Sequence, residues 1–376
     1  MIYFDYAATT PINPEILESY NELLKKYYAN SASMHIMGAQ VDSLQNRARK
    51  QIADLLGVKS EEIIFTSGAS EANNTALKGV ALRNQKKGKH IITTMVEHPS
   101  VLNACKQLES LYGFEVTYLP VNKEGKVELE VLEKAIRKDT ILISLIFVNN
   151  ETGAINDIED IGAFLKKNYP HIIFHTDATQ GIGKFSLNLH DIDLLSLSAH
   201  KLNGLKGSGL LVKKQDVKLE PLINGGDQEF GYRAGTSNWP VNVMLAKTLR
   251  LALENKDKNY QIVRHYYDEV RSFLEGREDI QINSPKDGSP YILNSSLKNT
   301  KSAVVAGFLE KEGICVSTVS ACSAHKAVKS YVVEAIYQDE KRASSSLRIS
   351  FSPLTTEEEI AALLKALDKA LKEIKR

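Results

Sequence analysis

Ile172-Ile173-Phe174-His175-Thr176-Asp177-Ala178-Thr179-Gln180 reads as a strand that is apolar on both faces and ends in an acid. Such a strand is expected where helices cover a sheet from both sides. An ionised carboxylate at its end is costly unless paired, so Asp177 calls for a cationic or hydrogen-bonding partner. Other strand-like runs are Ile63–Thr66, Ile91–Thr94, Glu115–Leu119, Ile141–Val148, Leu194–Ser198 and Leu210–Lys213. Most of the segments between them are long enough for a crossover helix. The alternation predicts an α/β domain around a mainly parallel sheet with helices on both faces. Ligands of such sheets lie beyond the carboxyl ends of strands, so the residues just after each run are the ones to weigh for chemistry.

Helices frame this region. Val41, Leu44, Ala48, Ile52 and Leu55 share one face, and Gly57 comes next as a stop. Thr356-Glu357-Glu358-Glu359 is a capping-box pattern opening a helix with Ile360, Leu363, Leu364, Leu367, Leu371 and Ile374 on one stripe. Residues 244–275 also read as helical, and one long helix there would bridge two domains. A chain of 376 residues favours two domains. The boundaries expected are 13–250 for a large domain, with 1–12 and 251–376 forming a small one.

Forty-seven Lys+Arg against 46 Asp+Glu leave a net charge of +1, which gives no global reason to expect a nucleic acid or an anionic membrane as partner. No apolar run approaches the roughly 20 residues of a membrane span, and the N-terminus lacks a signal-peptide pattern. Three cysteines, Cys105, Cys315 and Cys322, form no CxxC, and the nine His residues show no HxH or HExxH. No metal site is expected, and the low, odd cysteine count points to a reducing, cytoplasmic compartment.

Four polar clusters stand at strand ends. Ser67-Gly68-Ala69-Ser70-Glu71-Ala72-Asn73 suits a phosphate at a helix N-terminus, and also reads as a plain turn capped by Ser70. Asn149-Asn150-Glu151-Thr152-Gly153 is a polar loop. Asp177 also reads as a helix cap. Ala199-His200-Lys201, before a glycine-rich loop, suits a Schiff base or a surface lysine. Together they place a phosphate cradle, a carboxylate, a lysine and polar contacts on one rim of one sheet. Pyridoxal 5'-phosphate requires that set: the lysine holds its aldehyde and the carboxylate keeps its ring nitrogen protonated.

These residues resemble those of the cysteine desulfurases of the NifS-like group, in the class V aminotransferase family. The likeness runs from Tyr3-Phe4-Asp5-Tyr6-Ala7-Ala8-Thr9-Thr10 through Thr66–Asn73, Glu97-His98-Pro99, Asn149–Gly153, Thr176–Gln180 and Ser198–Lys201. It continues in Gly225-Gly226-Asp227-Gln228-Glu229, Arg233-Ala234-Gly235-Thr236, Ser320-Ala321-Cys322-Ser323 and Leu347-Arg348-Ile349-Ser350.

The resemblance implies a fold-type I transferase fold with a smaller α+β C-terminal domain carrying the cysteine loop and a substrate arginine. It implies that Lys201 is the Schiff-base lysine, Asp177 the partner of the pyridinium nitrogen and His98 a stacking and acid–base residue. Asn150 and Gln180 would contact the ring hydroxyl side. Ala69, Ser70, Ser198 and His200 would bind phosphate, joined by Thr236 of a second subunit. Arg348, with Asn150, would bind the substrate carboxylate, and Cys322 would take sulfur from L-cysteine as a persulfide for a sulfur-acceptor protein of iron–sulfur cluster assembly or tRNA and cofactor sulfuration. A selenocysteine lyase or an aminotransferase of the same family is the alternative.

His98 also reads as a loop residue, Arg348 as a solvent-facing strand residue and Cys322 as a small buried one. The polar run around Cys322, with His325 and Lys326, favours a reactive thiolate. Cys105 and Cys315 read as structural. Four positions depart from the family pattern: Val319 stands for a glycine, Leu205 for a proline, Phe351-Ser352-Pro353 for Gly-Arg, and Ser31-Ala32-Ser33 for Asn-Pro-Ser-Ser.

Overall fold

The computed structural model describes residues 1–318 and 329–373. Its large sheet has seven strands in the order Ile63–Thr66, Gly209–Lys213, Leu194–Ser198, Ile173–Asp177, Thr140–Ile146, His90–Thr94 and Glu115–Leu119. Gly209–Lys213 runs antiparallel to both neighbours, and the other pairs are parallel. Each expected run forms a strand, with ends shifted by a residue or two. Phe147 leaves its strand because its N–H donates to the Asp177 carbonyl at 3.0 Å while its own carbonyl accepts from the Asn156 N–H at 2.9 Å. Asp177 is itself the last strand residue, level with Ile146 and Ser196 on the neighbouring strands.

Period-two alternation divides the strand side chains between two cores. Ile63 and Phe65 pack with Ile52, Ile143, Phe174 and Leu195 on one face. Ile64 packs with Ala76, Val80, Ile91 and Leu211 on the other. The helix Ile36–Leu56 ends at Gly57, whose φ of 65° is the left-handed conformation a glycine stop supplies. From this helix Arg49 forms a buried two-point pair with Glu229, both bonds at 2.8 Å, and Glu229 also accepts from the Phe65 N–H at 2.9 Å. That anchor ties the Gly225–Glu229 segment to the strand that leads into Ser67.

A second sheet is antiparallel, in the order Ser317–Thr318, Ser346–Ser350, Ile292–Leu297 and Ile280–Ile282. It shares a core with the helices Lys256–Glu275 and Glu357–Glu373, built from Phe4, Tyr267, Leu293, Ile349, Leu363 and Leu367. The predicted capping box is present: Thr356 Oγ1 accepts from the Glu359 N–H at 3.3 Å, and Glu359 Oε2 accepts from the Thr356 N–H at 3.1 Å. The N-terminal strand Ile2–Tyr3 pairs in parallel with Ile314–Cys315, and Asp5 bridges to Ser350.

The single helix expected over 244–275 is two, Trp239–Glu254 and Lys256–Glu275. Asn255 breaks it at φ −102° and ψ 5°, and its side chain donates to the Leu251 carbonyl at 2.9 Å, satisfying the helix end. Two departures from the family pattern are absorbed by packing. Leu205 is buried against Ile16, Val241 and Met244. Phe351 stands edge-on to Phe4 and Tyr267, with ring centroids 6.0 and 6.1 Å away. Cys105 is fully buried in a helix and burial pushes its thiol pKa up, while Cys315 is half-buried at a strand end. Cys322, Val319, His325, Lys326 and Ile374 lie outside the described residues.

Gly209 permits a close approach on which the turn at Gly68 depends. A Cβ there would lie 2.6 Å from Gly68 Cα and 2.7 Å from the Leu197 carbonyl oxygen, both backbone atoms. Gly209→Ala is expected to destabilise the fold by about 1–3 kcal/mol, the usual cost of overpacking. Chemical denaturation checks this; an unchanged midpoint would show that the turn relaxes freely.

Candidate active site

The carboxyl ends of the central strands bring the predicted residues together in three groups. In the first, Asp177 is 4% exposed. Its Oδ1 accepts from the Thr179 N–H at 3.0 Å and its Oδ2 from Asn73 Nδ2 at 2.7 Å. The acid thus caps a tight turn, and the helix-cap reading gives way. Asn73 also donates to Ser100 Oγ at 2.9 Å, and that hydroxyl lies 2.8 Å from His98 Nδ1. A line of side chains therefore runs from Asp177 to His98. His98 caps the helix Pro99–Tyr112 through Nδ1, which accepts from the Ser100 N–H at 3.2 Å. With Nδ1 an acceptor, the ring proton sits on Nε2. Burial is the largest influence on His98 and lowers its pKa; Asp177 opposes this and Lys201 reinforces it.

The second group surrounds Lys201, which ends a short turn after the strand Leu194–Ser198. Its Nζ donates to the carbonyls of Ala7 and Ala8, the latter at 2.6 Å. Gln180 Nε2 donates to the same Ala7 carbonyl at 2.9 Å. His200 Nδ1 lies 3.1 Å from Thr9 Oγ1, and burial, then Lys201, push its pKa down to about 4. Lys201 lines a cleft of about 610 Å³ with Tyr6, Lys184, Tyr291 and Phe351.

The third group is the cluster that the sequence suggests for phosphate. The helix Ala69–Asn84 has Gly68 at its cap position, so Ser70 lies inside the first turn instead of capping it. The first-turn N–H groups of Ala69, Ser70 and Glu71 have no acceptor within the helix. Ser198 Oγ, which donates to the Ser208 carbonyl at 3.2 Å, would lie 3.6 Å from a Cβ on Gly68. Thr236 is exposed; in its segment Arg233 Nε donates to Glu71 Oε1 at 2.9 Å.

Arg348 is 6% exposed, because its strand is paired on both edges and buried on both faces; the solvent-facing reading gives way. Nη1 donates to the Asn150 carbonyl and Nη2 to Asp5 Oδ1, each at 2.8 Å. Asn150 Oδ1, Thr179 Oγ1, Ser208 Oγ and Arg348 Nε are buried without a hydrogen-bond partner among the described residues. A row of first-turn N–H groups, a buried acid, a lysine and these unpartnered polar atoms fit pyridoxal phosphate and a small carboxylate substrate. Among the described residues no group of three or more His, Cys, Asp or Glu is placed to hold a metal ion, and no helix is long and apolar enough to cross a membrane.

Several participants are silent in the sequence. Asn73 and Ser100 carry no pattern of their own, and only folding sets them between Asp177 and His98. Asp5 lies 343 residues from the Arg348 it pairs with. Lys184 is four residues after Gln180 and donates to its Oε1 at 3.1 Å. His175, one turn of the pleat before Asp177, lies between Ser144 Oγ at 2.8 Å and Ser196 Oγ at 3.0 Å, and burial pushes its pKa down to about 4.

The family model described as aminotransferase class V matches residues 2–363. The chain is 42% identical to a NifS/IcsS protein homolog of Lactobacillus delbrueckii subsp. bulgaricus, over 98% of this chain and 97% of that one. It is 41% identical to the cysteine desulfurase IscS of Dictyoglomus turgidum, over 100% and 95% of the two chains. A solved structure described as a NifS-like protein superposes with a TM-score of 0.92 at 36% identity, covering 99% of each chain. Another, described as SspA in complex with cysteine, gives 0.83 at 36% identity, covering 95% of this chain and 100% of the other. The chain belongs to the class V aminotransferase family and has its fold-type I architecture. Within that family its likeness is to the NifS/IscS group.

Glu97 is the buried acid next to His98. Its Oε1 accepts from Thr94 Oγ1 and the Ile146 N–H, both at 2.8 Å, while Oε2 has no partner among the described residues, and burial raises its pKa to about 8. The unfolded chain releases this proton near 4.5, so the folded state holds more protons between these values. Stability contributed by Glu97 therefore falls as pH rises through that window. Glu97→Gln keeps the shape and removes the titration. Its melting temperature relative to the wild type is expected to be constant below about pH 4.5 and to rise steadily toward pH 8. A difference that stays flat across the range would place the charge elsewhere.

Proposed function

We propose that the chain is an L-cysteine desulfurase that uses pyridoxal 5'-phosphate and releases L-alanine while passing sulfur to an acceptor. The observation that carries this reading is the gathering of Lys201, Asp177 and His98 at the carboxyl ends of the large-sheet strands, with Arg348 reaching that rim from the small sheet through the Asn150 carbonyl. The cofactor, when bound, supplies an electron sink that draws electrons from the carbon bearing the substrate amine.

This chain's residues divide the remaining work. Lys201 would hold the aldehyde carbon, and Asp177 would keep a proton on the ring nitrogen. Ala69, Ser70, Ser198 and His200 would take the phosphate, with Thr236 of a second copy, and Gln180 and Asn150 would face the ring oxygen. His98, neutral with its proton on Nε2, would cover the ring and share proton movement with Lys201. Arg348 presents a planar two-donor fork to the cysteine carboxylate. Asp5 holds that fork in place. Cys322, assigned from the sequence, would attack the substrate sulfur as a thiolate. The Cβ–S bond breaks, sulfur remains on Cys322 as a persulfide, and the carbon skeleton leaves as alanine.

The reading includes a homodimer with shared sites, located in the cytoplasm. Its support is the set of large apolar side chains left exposed near the Gly225–Thr236 segment and in the loop before Ile36: Tyr28, Met34, Ile36, Leu222, Ile223 and Phe230. A chain that buries this many elsewhere leaves such a group exposed where a partner covers it. It also keeps 13–250 as the cofactor-binding unit, with 1–12 and 251–376 supplying Arg348 and Cys322. The acceptor would be a protein of iron–sulfur cluster assembly or of tRNA or cofactor sulfuration.

Incubation with L-cysteine should yield alanine and sulfane sulfur in equal amounts; pyruvate or a keto acid as the main product would favour an aminotransferase or another family member. Borohydride reduction should fix the cofactor on Lys201, and a label on Lys184 or Lys206 would refute that assignment. Cys322→Ser should retain the cofactor and lose persulfide formation, because an alcohol is not ionised at neutral pH. Arg348→Ala should weaken cysteine binding by roughly 2–4 kcal/mol with little effect on the cofactor. Light scattering should give twice the monomer mass, and a monomer fully loaded with cofactor would exclude the shared site.

A further inference from the structure

Lys184 belongs to none of the groups the sequence assigns, yet it lines the same cleft as Lys201. Its stem is partly exposed, and its amine is set deep among Gln180, Lys201 and Tyr291. Nζ donates to Gln180 Oε1 at 3.1 Å and lies 5.0 Å from the centroid of the Tyr291 ring. Gln180 is 3% exposed, and its other end, Nε2, donates to the Ala7 carbonyl at 2.9 Å. The same carbonyl accepts from Lys201.

The two ends of a glutamine amide are nearly identical in shape and opposite in hydrogen bonding. Which end faces a ligand is decided by the partners that hold it. The amide of Gln180 is held at both ends. The Ala7 carbonyl only accepts, so it takes Nε2. The Lys184 amine donates, so it takes Oε1. The backbone holds Lys184 at this spot. Gly183 precedes it at φ 79°, and a Cβ there would meet Leu202 Cδ2 at 2.9 Å and Ala252 Cβ at 3.0 Å.

We infer that Lys184 is a positioning residue that commits the donor end of the Gln180 amide to the Lys201 side of the cleft, where it meets the ring oxygen of the cofactor. This rests on the proposed use of pyridoxal phosphate. The groups facing Lys184 are Lys201, Gln180 and the Tyr291 ring, and among the described residues no carboxylate forms an ion pair with it. Burial, then the charge of Lys201, lowers its pKa to about 7. A neutral amine also accepts hydrogen bonds, so it no longer dictates the orientation of Gln180. The grip on the amide is therefore firmest when Lys184 is protonated, and it slackens as pH rises through about 7.

The test is a double-mutant cycle read by cofactor binding. Apo-protein is titrated with pyridoxal phosphate and followed by visible absorbance, for the wild type, Lys184→Met, Gln180→Ala and the double variant. Lys184→Met keeps the apolar stem and loses the donor; thermal melts confirm that each variant is folded. It should weaken cofactor binding about tenfold when Gln180 is present, the effect of one lost polar contact. The loss should shrink to less than about twofold in the Gln180→Ala background, because coupled residues are not additive. Lys184→Arg, which keeps a donor, should recover at least half of the loss on a logarithmic scale. An equal loss in both backgrounds, or none in either, would overturn the inference, as would an Arg variant no better than Met. A wild-type protein that takes up no pyridoxal phosphate would overturn the reading beneath it, and this inference with it.

Discussion

The first ten residues tie the site together. The carbonyls of Ala7 and Ala8 receive Lys201, and Ala7 also receives Gln180. Asp5 receives Arg348, Thr9 meets His200, and Thr10 donates twice to the His200 carbonyl at 2.9 and 2.8 Å. The Ala7 N–H donates to Ser350 Oγ at 2.9 Å. One short segment thus bonds to the rim of the large sheet and to the last strand of the small one. A second link is the Asn150 carbonyl, which also receives Arg348. Small residues suit the task, because Ala7 and Ala8 offer carbonyls with little side-chain bulk.

Around this strap the protein keeps its titratable groups close to neutral. Burial pushes His175 and His200 down to about 4 and Glu97 up to about 8, and lowers His98. Each is held by hydroxyls or backbone groups in place of a counter-ion. Asp177 is held in the same manner, by Asn73 and the Thr179 N–H. A carboxylate satisfied by neutral donors remains available to a cation that arrives later, which is the property a ring-nitrogen partner needs. Arg348 is the contrast: it already has a charged partner in Asp5.

The seven strands are legible in the sequence because runs apolar on both faces are the direct mark of a covered sheet, and their ends point to Asp177 and Lys201. The Asn255 break is not, since the polar run 254–259 holds no glycine or proline to stop a helix and only one side-chain bond to Leu251 marks the end. Ser70 has a residue type that suits a cap, but the glycine before it takes the cap position. Alternation with Leu347 and Ile349 suggests an outward Arg348, yet alternation separates inside from outside only when one face meets water, and this strand is covered on both. Asn73, Ser100, Asp5 and Lys184 are beyond reach for a common reason. Isolated polar residues carry no periodicity; Asn73 and Asp5 meet partners 104 and 343 residues away, and Lys184, though only four residues from Gln180, bears no mark of their contact.

The strap also sets the order in which the site can be completed. Residues 5 and 7 are synthesised well before their partners Arg348 and Ser350, each 343 residues further along the chain. The large sheet has all its strands once residue 213 has been made. The N-terminal segment then has Lys201 and His200 to bind but neither Arg348 nor the strand beside it. A nascent chain can therefore assemble the lysine side of the cleft long before the Asp5–Arg348 pair can form. The pair that joins the two sides spans 343 residues, so it closes only after a long stretch of intervening chain has been made and folded.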